Sequence, residues 1–179
     1  MLYFIRHGQT NENVNSILTG RRDVPLNEIG KKQVQEEGEN CKDLKIDVIF
    51  CSPLSRAKET CEAINKYHHA EVIVTDELIE RSYGKYEGKH SSCIDREKCW
   101  NYFEDISKKG IESPRILFGR VYAFLDKIKE EQKDKNILIV AHNGIGRAIY
   151  CYFNGLPTDG NLLSFQMPNA KIIGYKFEN

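Results

Sequence analysis

The chain has little that would mark it as exported, membrane-bound or built to hold a polyanion. Its only apolar run near the start, Leu2 to Ile5, stops at Arg6, too short for a signal-peptide core or a bilayer span. Neither sign of charge is in excess: 26 Lys and Arg balance 26 Asp and Glu. Non-specific nucleic-acid binding draws on a basic surplus, so a nucleic-acid partner is not expected, and neither is a membrane. The six cysteines (Cys41, Cys51, Cys61, Cys93, Cys99 and Cys151) include no Cys-x-x-Cys pair. They read as reduced thiols, mostly core fillers, which points to the cytoplasm. Metal-ligand spacing is missing as well. The adjacent His68 and His69 read as a helix end beside solvent, and no metal or other cofactor is expected. Repeats, linkers and low-complexity tracts are absent, and no exposed apolar stripe announces an oligomer interface.

What remains is an ordinary globular composition, 40% apolar and 29% charged over 179 residues, enough for one domain with one core. Short apolar runs at 2–5, 46–51, 72–75 and 137–141 read as strands. Between them, Asn27 caps a helix expected to reach about Leu44. Ser52-Pro53 supplies a cap and first-turn proline for a helix bearing Leu54, Ala57, Cys61 and Ile64 on one face. Ser113-Pro114 repeats that signature ahead of the clearest amphipathic stretch, Leu117 to Ile128. A helix is also expected from His142 to about Phe153, another over 92–107, and a hairpin over 162–177 turning at Pro168-Asn169-Ala170. Residues 76–91 read as a loop. Strands alternating with helices give an α/β fold, three layers (α/β/α) around a mostly parallel sheet.

Polar residues gather just past the strand ends, where ligands bind in open α/β sheets. Arg6-His7-Gly8 follows the first strand: a nucleophilic nitrogen, a planar cation for phosphate oxygens, and a glycine that admits close backbone approach. Arg56 lies in the first turn of a helix, whose free N–H groups favour anions. Glu80 opens a loop and can protonate a leaving oxygen; a nearby phosphate dianion favours its protonated form. His142, with the N–H groups of Asn143 and Gly144, can donate to a phosphate oxygen. Each signal alone is matched by a plain alternative: a surface histidine, a solvated Arg or Glu, a structural histidine.

Taken in order, these motifs resemble the histidine phosphatase superfamily (phosphoglycerate mutase-like, branch 1). The resemblance rests on Arg6-His7-Gly8-x-Thr10-x-x-Asn13, Thr19-Gly20, Asp23-Val24-Pro25-Leu26, Gly30-x-x-Gln33 and Ser52-Pro53-Leu54-x-Arg56-Ala57-x-x-Thr60. It continues through Leu78-x-Glu80, Tyr83-Gly84-x-x-Glu87-Gly88, Glu112-Ser113, Val140-x-His142 and Arg147-Ala148, and is weakest over 89–111. It implies that His7 takes the phosphoryl group while Arg6, Arg56 and His142 clamp it. Asn13, Thr19 and Gly20 would add hydrogen bonds, and Glu80 would serve as acid and then base. Arg81, Tyr83, Asn143 and Gly144 are implied as further substrate contacts. Phosphoryl transfer needs mainly positioning and charge stabilisation, which such a set supplies.

The stretch from Glu80 to Gly84 looks like the cofactor-dependent phosphoglycerate mutases. Those enzymes, however, carry a longer insertion, a lysine where Ser91 stands, and an adjacent arginine pair. Between Arg81 and His142 this chain has only the isolated Arg96, Arg115 and Arg120. A phosphatase acting on a small phosphorylated metabolite is therefore the preferred reading. A mutase is the alternative, and a non-catalytic binder of a phosphorylated ligand a third. Residues 81–115 are expected to cover the crevice and set specificity within a single domain, 1–179. Lys85, Lys89, His90, Arg96, Lys98, Trp100 and Tyr102 there either hold an anionic or aromatic group or, the preferred reading, are solvated charges around a core tryptophan. Sugar phosphates, nucleotide-derived phosphates such as ribazole phosphate, and phosphoglycerates all stay open as substrates.

Overall fold

A computed structural model describes residues 1–177. The elements run β1 (Leu2–Arg6), α1 (Asn11–Val14), α2 (Glu28–Asn40), β2 (Val48–Cys51), α3 (Ser55–His68), β3 (Glu71–Val74), α4 (Arg96–Cys99), α5 (Pro114–Glu131), β4 (Ile137–Ala141), α6 (Asn143–Asn154) and β5 (Ile172–Tyr175). The strands form one sheet in the order β3-β2-β4-β1-β5, parallel except for β5, which runs antiparallel to β1.

Strand β4 is buried at all five positions, as a continuous apolar run in a sheet covered on both faces should be. Its residues alternate between two cores. Ile137, Ile139 and Ala141 join Phe4 and Phe50 against Leu117, Val121 and Leu125 of α5 and Ile145 and Ile149 of α6. Leu138 and Val140 join Ile5 and Ile49 against Ala57, Cys61 and Ile64 of α3. The three expected layers follow, with α2 lying against α3 and α5 against α6.

Two caps act as the sequence suggests: the side chains of Asn27 and Ser113 accept from Gly30 N (2.8 Å) and Ile116 N (3.3 Å). The Ser52-Pro53 cap does not form. Helix α3 starts at Ser55 after Leu54, which offers no side-chain cap, and the Ser52 hydroxyl turns to a histidine instead. Helix α2 ends at Asn40, and residues 41–44 close in turns, Leu44 N donating to Cys41 O at 2.9 Å.

Two further expectations are corrected. Only one turn of the stretch 92–107 is α-helical, Arg96–Cys99, with single 3-10 turns at Ser91–Cys93 and Ser107–Lys109 overlapping its ends. Its apolar residues Cys99, Trp100 and Ile106 are buried singly, without the period that would hold a longer helix to a core. The hairpin over 162–177 does not exist either. Leu162 N donates to Trp100 O (2.9 Å), and Ile172–Tyr175 pairs with β1. Strand β1 had an open edge whose N–H and C=O groups needed partners, and β5 satisfies them. Among the described residues no helix is long and apolar enough to cross a membrane.

Leu125 is fully buried in α5 while Lys127 is exposed. Leu125→Ala should lower unfolding free energy by about 3 kcal/mol, and Lys127→Ala should change it by less than about 0.5 kcal/mol, both read from urea denaturation.

Candidate active site

The register of the sheet builds the site. Arg6 lies opposite Ala141, and Cys51 opposite Val140, so the next residue on each chain leaves the sheet at one edge. His7 N donates to Ala141 O and Ser52 N to Val140 O, both at 3.0 Å. His7, His142 and Ser52 are thus gathered by backbone pairing alone. The two imidazoles meet edge-on with centroids 5.2 Å apart, and both are buried.

Each ring is held in a definite orientation. His7 Nδ1 lies 2.7 Å from Gly8 O. A carbonyl can only accept, so Nδ1 carries the proton and Nε2 keeps its lone pair, as a nucleophile requires. Arg56 Nε donates to that Nε2 at 3.2 Å. Its guanidinium is fixed by donating to Arg22 O (2.9 Å) and Gly20 O (2.8 Å). Burial, then Arg6 and Arg56, hold the His7 imidazole well below its ordinary value of 6.5, so it is neutral at neutral pH. Arg6 donates Nη1 to Met167 O at 2.9 Å, while its buried Nε has no protein partner. Burial lowers Arg6 to about 10 against the opposing pull of Glu80, which leaves it a cation.

His142 Nε2 stands 2.7 Å from Ser52 Oγ, and its buried Nδ1 has no protein partner. Ser52 Oγ also accepts from Leu54 N at 3.4 Å, and a hydroxyl has one proton and two lone pairs. Where Ser52 donates to Nε2, the proton of the ring lies on Nδ1 as an unused donor. Burial, with Arg56, His7 and Arg6 nearby, keeps His142 neutral as well.

Glu80 sits at the N-terminus of α6. Its Oε1 accepts from Arg81 N (2.8 Å) and its Oε2 from Gly144 N (3.2 Å). A Cβ on Gly144 would collide with Glu80 Oε1, so the close approach requires glycine there.

Arg6, His7, Arg56 and Glu80 line one cavity of ≈ 500 Å³, together with Asn13, Thr19, Gly20, Tyr83 and Asn143. Its wall also includes Arg147, Trp100, Asn169, Gln166 and Arg96. His142 and Gly144 lie just behind that wall. Asn13 Oδ1 accepts from Thr10 N (3.2 Å) as part of a capping box. Asn143 spends its oxygen on Met167 N (2.9 Å), which pins the segment 165–169 over the site. Arg81 does not reach the cavity: it is fully buried, donates Nε to Glu112 O (2.6 Å) and stacks 4.4 Å from the Trp100 ring centre.

Sequence reasoning missed Ser52, read as a helix cap, although its place after a strand end was a usable signal. It also missed Asn169, whose Nδ2 donates to His7 O at 2.8 Å. No local pattern marks that residue, because its role depends on how 165–169 folds back. Trp100 packs as expected of a core residue and faces the cavity as well.

Both imidazoles are held below the ordinary 6.5. As pH falls past that value, the unfolded chain binds protons that the folded one refuses. The stability that comes from keeping them neutral is therefore present above about pH 6.5 and lost below it. The urea midpoint should fall between about pH 7.5 and about pH 5.5, and the fall should be smaller in His7→Gln; equal slopes in the two proteins would refute the assignment.

Comparison with known proteins agrees with this geometry. The family model for the histidine phosphatase superfamily (branch 1) matches residues 2–179. A protein named uncharacterized phosphatase PhoE, from Bacillus subtilis (strain 168), is 34% identical over 173 residues, covering 97% of this chain and 86% of that one. A putative phosphoserine phosphatase 2 from Hydrogenobacter thermophilus is 34% identical over 177 residues, covering 96% and 86%. The solved structure of the alpha-ribazole phosphatase from Shigella flexneri superposes with a TM-score of 0.81 at 27% identity, covering 96% and 87%. With two histidines at paired strand ends and a family match along nearly its whole length, the chain belongs to the histidine phosphatase superfamily, branch 1.

Proposed function

We propose that this protein is a phosphatase that hydrolyses a small phosphomonoester through a phosphohistidine on His7. The observation that carries this reading is the state of His7: neutral, buried, its Nδ1–H tied to Gly8 O and its Nε2 facing Arg56 Nε at 3.2 Å. Phosphatase-named relatives support the reaction class. The six unpaired cysteines, five of them buried, support a reducing compartment such as the cytoplasm.

In this mechanism the phosphoryl group enters between His7 and Arg56, and Arg56 Nε transfers its hydrogen bond from the imidazole to a phosphate oxygen. His7 Nε2 attacks phosphorus as the ester P–O bond breaks. Glu80 gives a proton to the leaving oxygen, and the alcohol departs. Glu80 then takes a proton from water, whose oxygen attacks the phosphohistidine and releases phosphate and neutral His7. Arg6, Arg56 and the Nδ1–H of His142 stabilise charge on the equatorial oxygens. Asn13, Thr19, Gly20 and Tyr83 line the space around the group. In this reading Asn143, Gly144 and Arg81 support it from behind: Asn143 through Met167, Gly144 through Glu80, and Arg81 through Trp100. Residues 81–115 contribute the wall that faces the leaving group.

Three measurements test this. His7→Ala should lower turnover of an aryl phosphate by about a thousandfold or more; a variant that retained most of the rate would refute the covalent role. Ser52→Ala should cut kcat by about tenfold, the worth of one buried hydrogen bond, with little change in KM, because His142 loses the partner that holds its ring. Incubation with 3-phosphoglycerate and a trace of 2,3-bisphosphoglycerate should release phosphate; accumulation of 2-phosphoglycerate would instead establish a mutase.

A further inference from the structure

The acid of the proposed mechanism stands on backbone that belongs to no helix or strand. Residues 79–83 lie between one 3-10 turn at Asp76–Leu78 and another at Gly84–Tyr86. Backbone groups withdrawn from water need partners, and here side chains supply them. Arg120, on α5, donates Nη1 to Glu77 O and Nη2 to Ile79 O, both at 2.6 Å. Arg21 donates Nε to Glu80 O at 3.2 Å. Two guanidinium groups therefore hold the carbonyls at and just before the acid.

Both guanidinium groups are held in turn by one carboxylate. Glu112 Oε1 accepts from Arg120 Nε at 2.9 Å, and its Oε2 accepts from Arg21 Nη2 at 3.3 Å. The same Oε2 accepts from Ser82 N at 3.0 Å, while Glu112 N donates to Ser82 O at 2.9 Å. The Glu112 side chain is 7% exposed. Burial alone would raise its carboxyl, but Arg120, the Ser82 N–H and Arg21 hold it below its ordinary value, so it is ionised at neutral pH. Hydrogen bonds to such a charge are about twice as strong as neutral ones.

Glu112, Arg21 and Arg120 lie outside the cavity wall, so they act on the site through the backbone. Arg21 also joins this backbone to the phosphate side. It follows Gly20, whose carbonyl accepts from Arg56 Nη2 at 2.8 Å. Glu87 reinforces the join, its Oε1 accepting from Arg21 N (3.1 Å) and Tyr83 N (3.0 Å).

We propose that Glu112 is a positioning residue for the acid: through Arg120 and Arg21 it fixes the backbone around Glu80 at the spacing from Arg56 that lets a proton reach the leaving oxygen. The inference rests on the phosphatase reading above, with Glu80 as its acid. Glutamine at 112 keeps the shape but gives up the charge and turns an NH2 towards groups that can only donate. The segment carrying Glu80 then loses its anchor, while His7 and Arg56 keep theirs.

Two substrates that differ in their need for a proton test this. 4-Nitrophenolate leaves without one, whereas benzyl alcohol does not, and kcat/KM reports the steps up to the phosphohistidine. As the reference, Glu80→Gln should lower kcat/KM for benzyl phosphate by about a hundredfold or more and largely spare 4-nitrophenyl phosphate. Glu112→Gln should repeat that pattern less deeply, about tenfold or more on benzyl phosphate and less than about threefold on 4-nitrophenyl phosphate. Arg21→Ala changes a half-exposed side chain and should act likewise; it decides the matter should the thermal melt show Glu112→Gln unfolded. Leu125→Ala, destabilised away from the site, should affect both substrates equally. Added to Glu80→Gln, the change at 112 should lower benzyl phosphate turnover little further, because the acid is already gone. Equal losses on both substrates in Glu112→Gln and Arg21→Ala, or no loss, overturn the proposal. If Glu80→Gln itself does not separate the substrates, the acid assignment falls and this inference with it. No turnover of either substrate by the unmodified protein removes the phosphatase reading.

Discussion

Strands β1 and β4 are hydrogen-bonded in parallel, and their register puts Arg6 opposite Ala141. That pairing brings two histidines 135 positions apart in the chain into edge contact. Backbone geometry sets their separation, so no flexible loop has to find it. Strand β2 on the far side of β4 adds Ser52 by the same rule. All the chemistry proposed for the site presupposes this edge. The parallel sheet is in turn stable only because α3 covers one of its faces and α5 and α6 the other.

The second constraint is electrostatic. Arg6, Arg56 and Arg147 converge on a cavity in which Glu80 is a half-buried acid, while both histidines are neutral. Such a surplus would be costly without fixed acceptors, and the fold supplies backbone carbonyls: Gly20 and Arg22 for Arg56, Met167 for Arg6, Phe165 for Arg147. Carbonyls orient a guanidinium without neutralising it. The charge is therefore held in place for a ligand, which is how an enzyme prepares to stabilise a phosphoryl group in transit. Gly8 plays the matching part for His7, deciding which nitrogen carries hydrogen, and Ser52 holds the ring of His142.

Local signals made much of the fold legible. Continuous apolar runs marked β1, β2 and β4, and the side-chain caps Asn27 and Ser113 marked two helix starts. The failures share a cause. Ser52 looked like a cap because serine before proline usually is one, yet a buried imidazole 2.7 Å away competed for its hydroxyl. The apolar stretch after Leu162 suggested a strand, but its partner was to have been β5, and the open edge of β1 took β5 first. Around Trp100 no periodicity exists to be read. That residue is placed by two arginines stacked against its ring, and neither stacking partner is close to it in sequence.

The sequence by itself determined which residue types stand at the strand ends: a histidine and an arginine after the first strand, an arginine opening the helix after the second, a histidine after the fourth. Those identities limit the chemistry to handling an anion, because guanidinium and imidazole are chosen by composition, whatever their distance. Tertiary structure alone decided the states of those groups. Burial and neighbouring cations keep the imidazoles neutral, a carbonyl sets the tautomer of His7, a hydroxyl holds the ring of His142, and a tryptophan face orients Arg147. Protonation, tautomer and orientation depend on what surrounds a side chain in space, and only the folded chain supplies those surroundings.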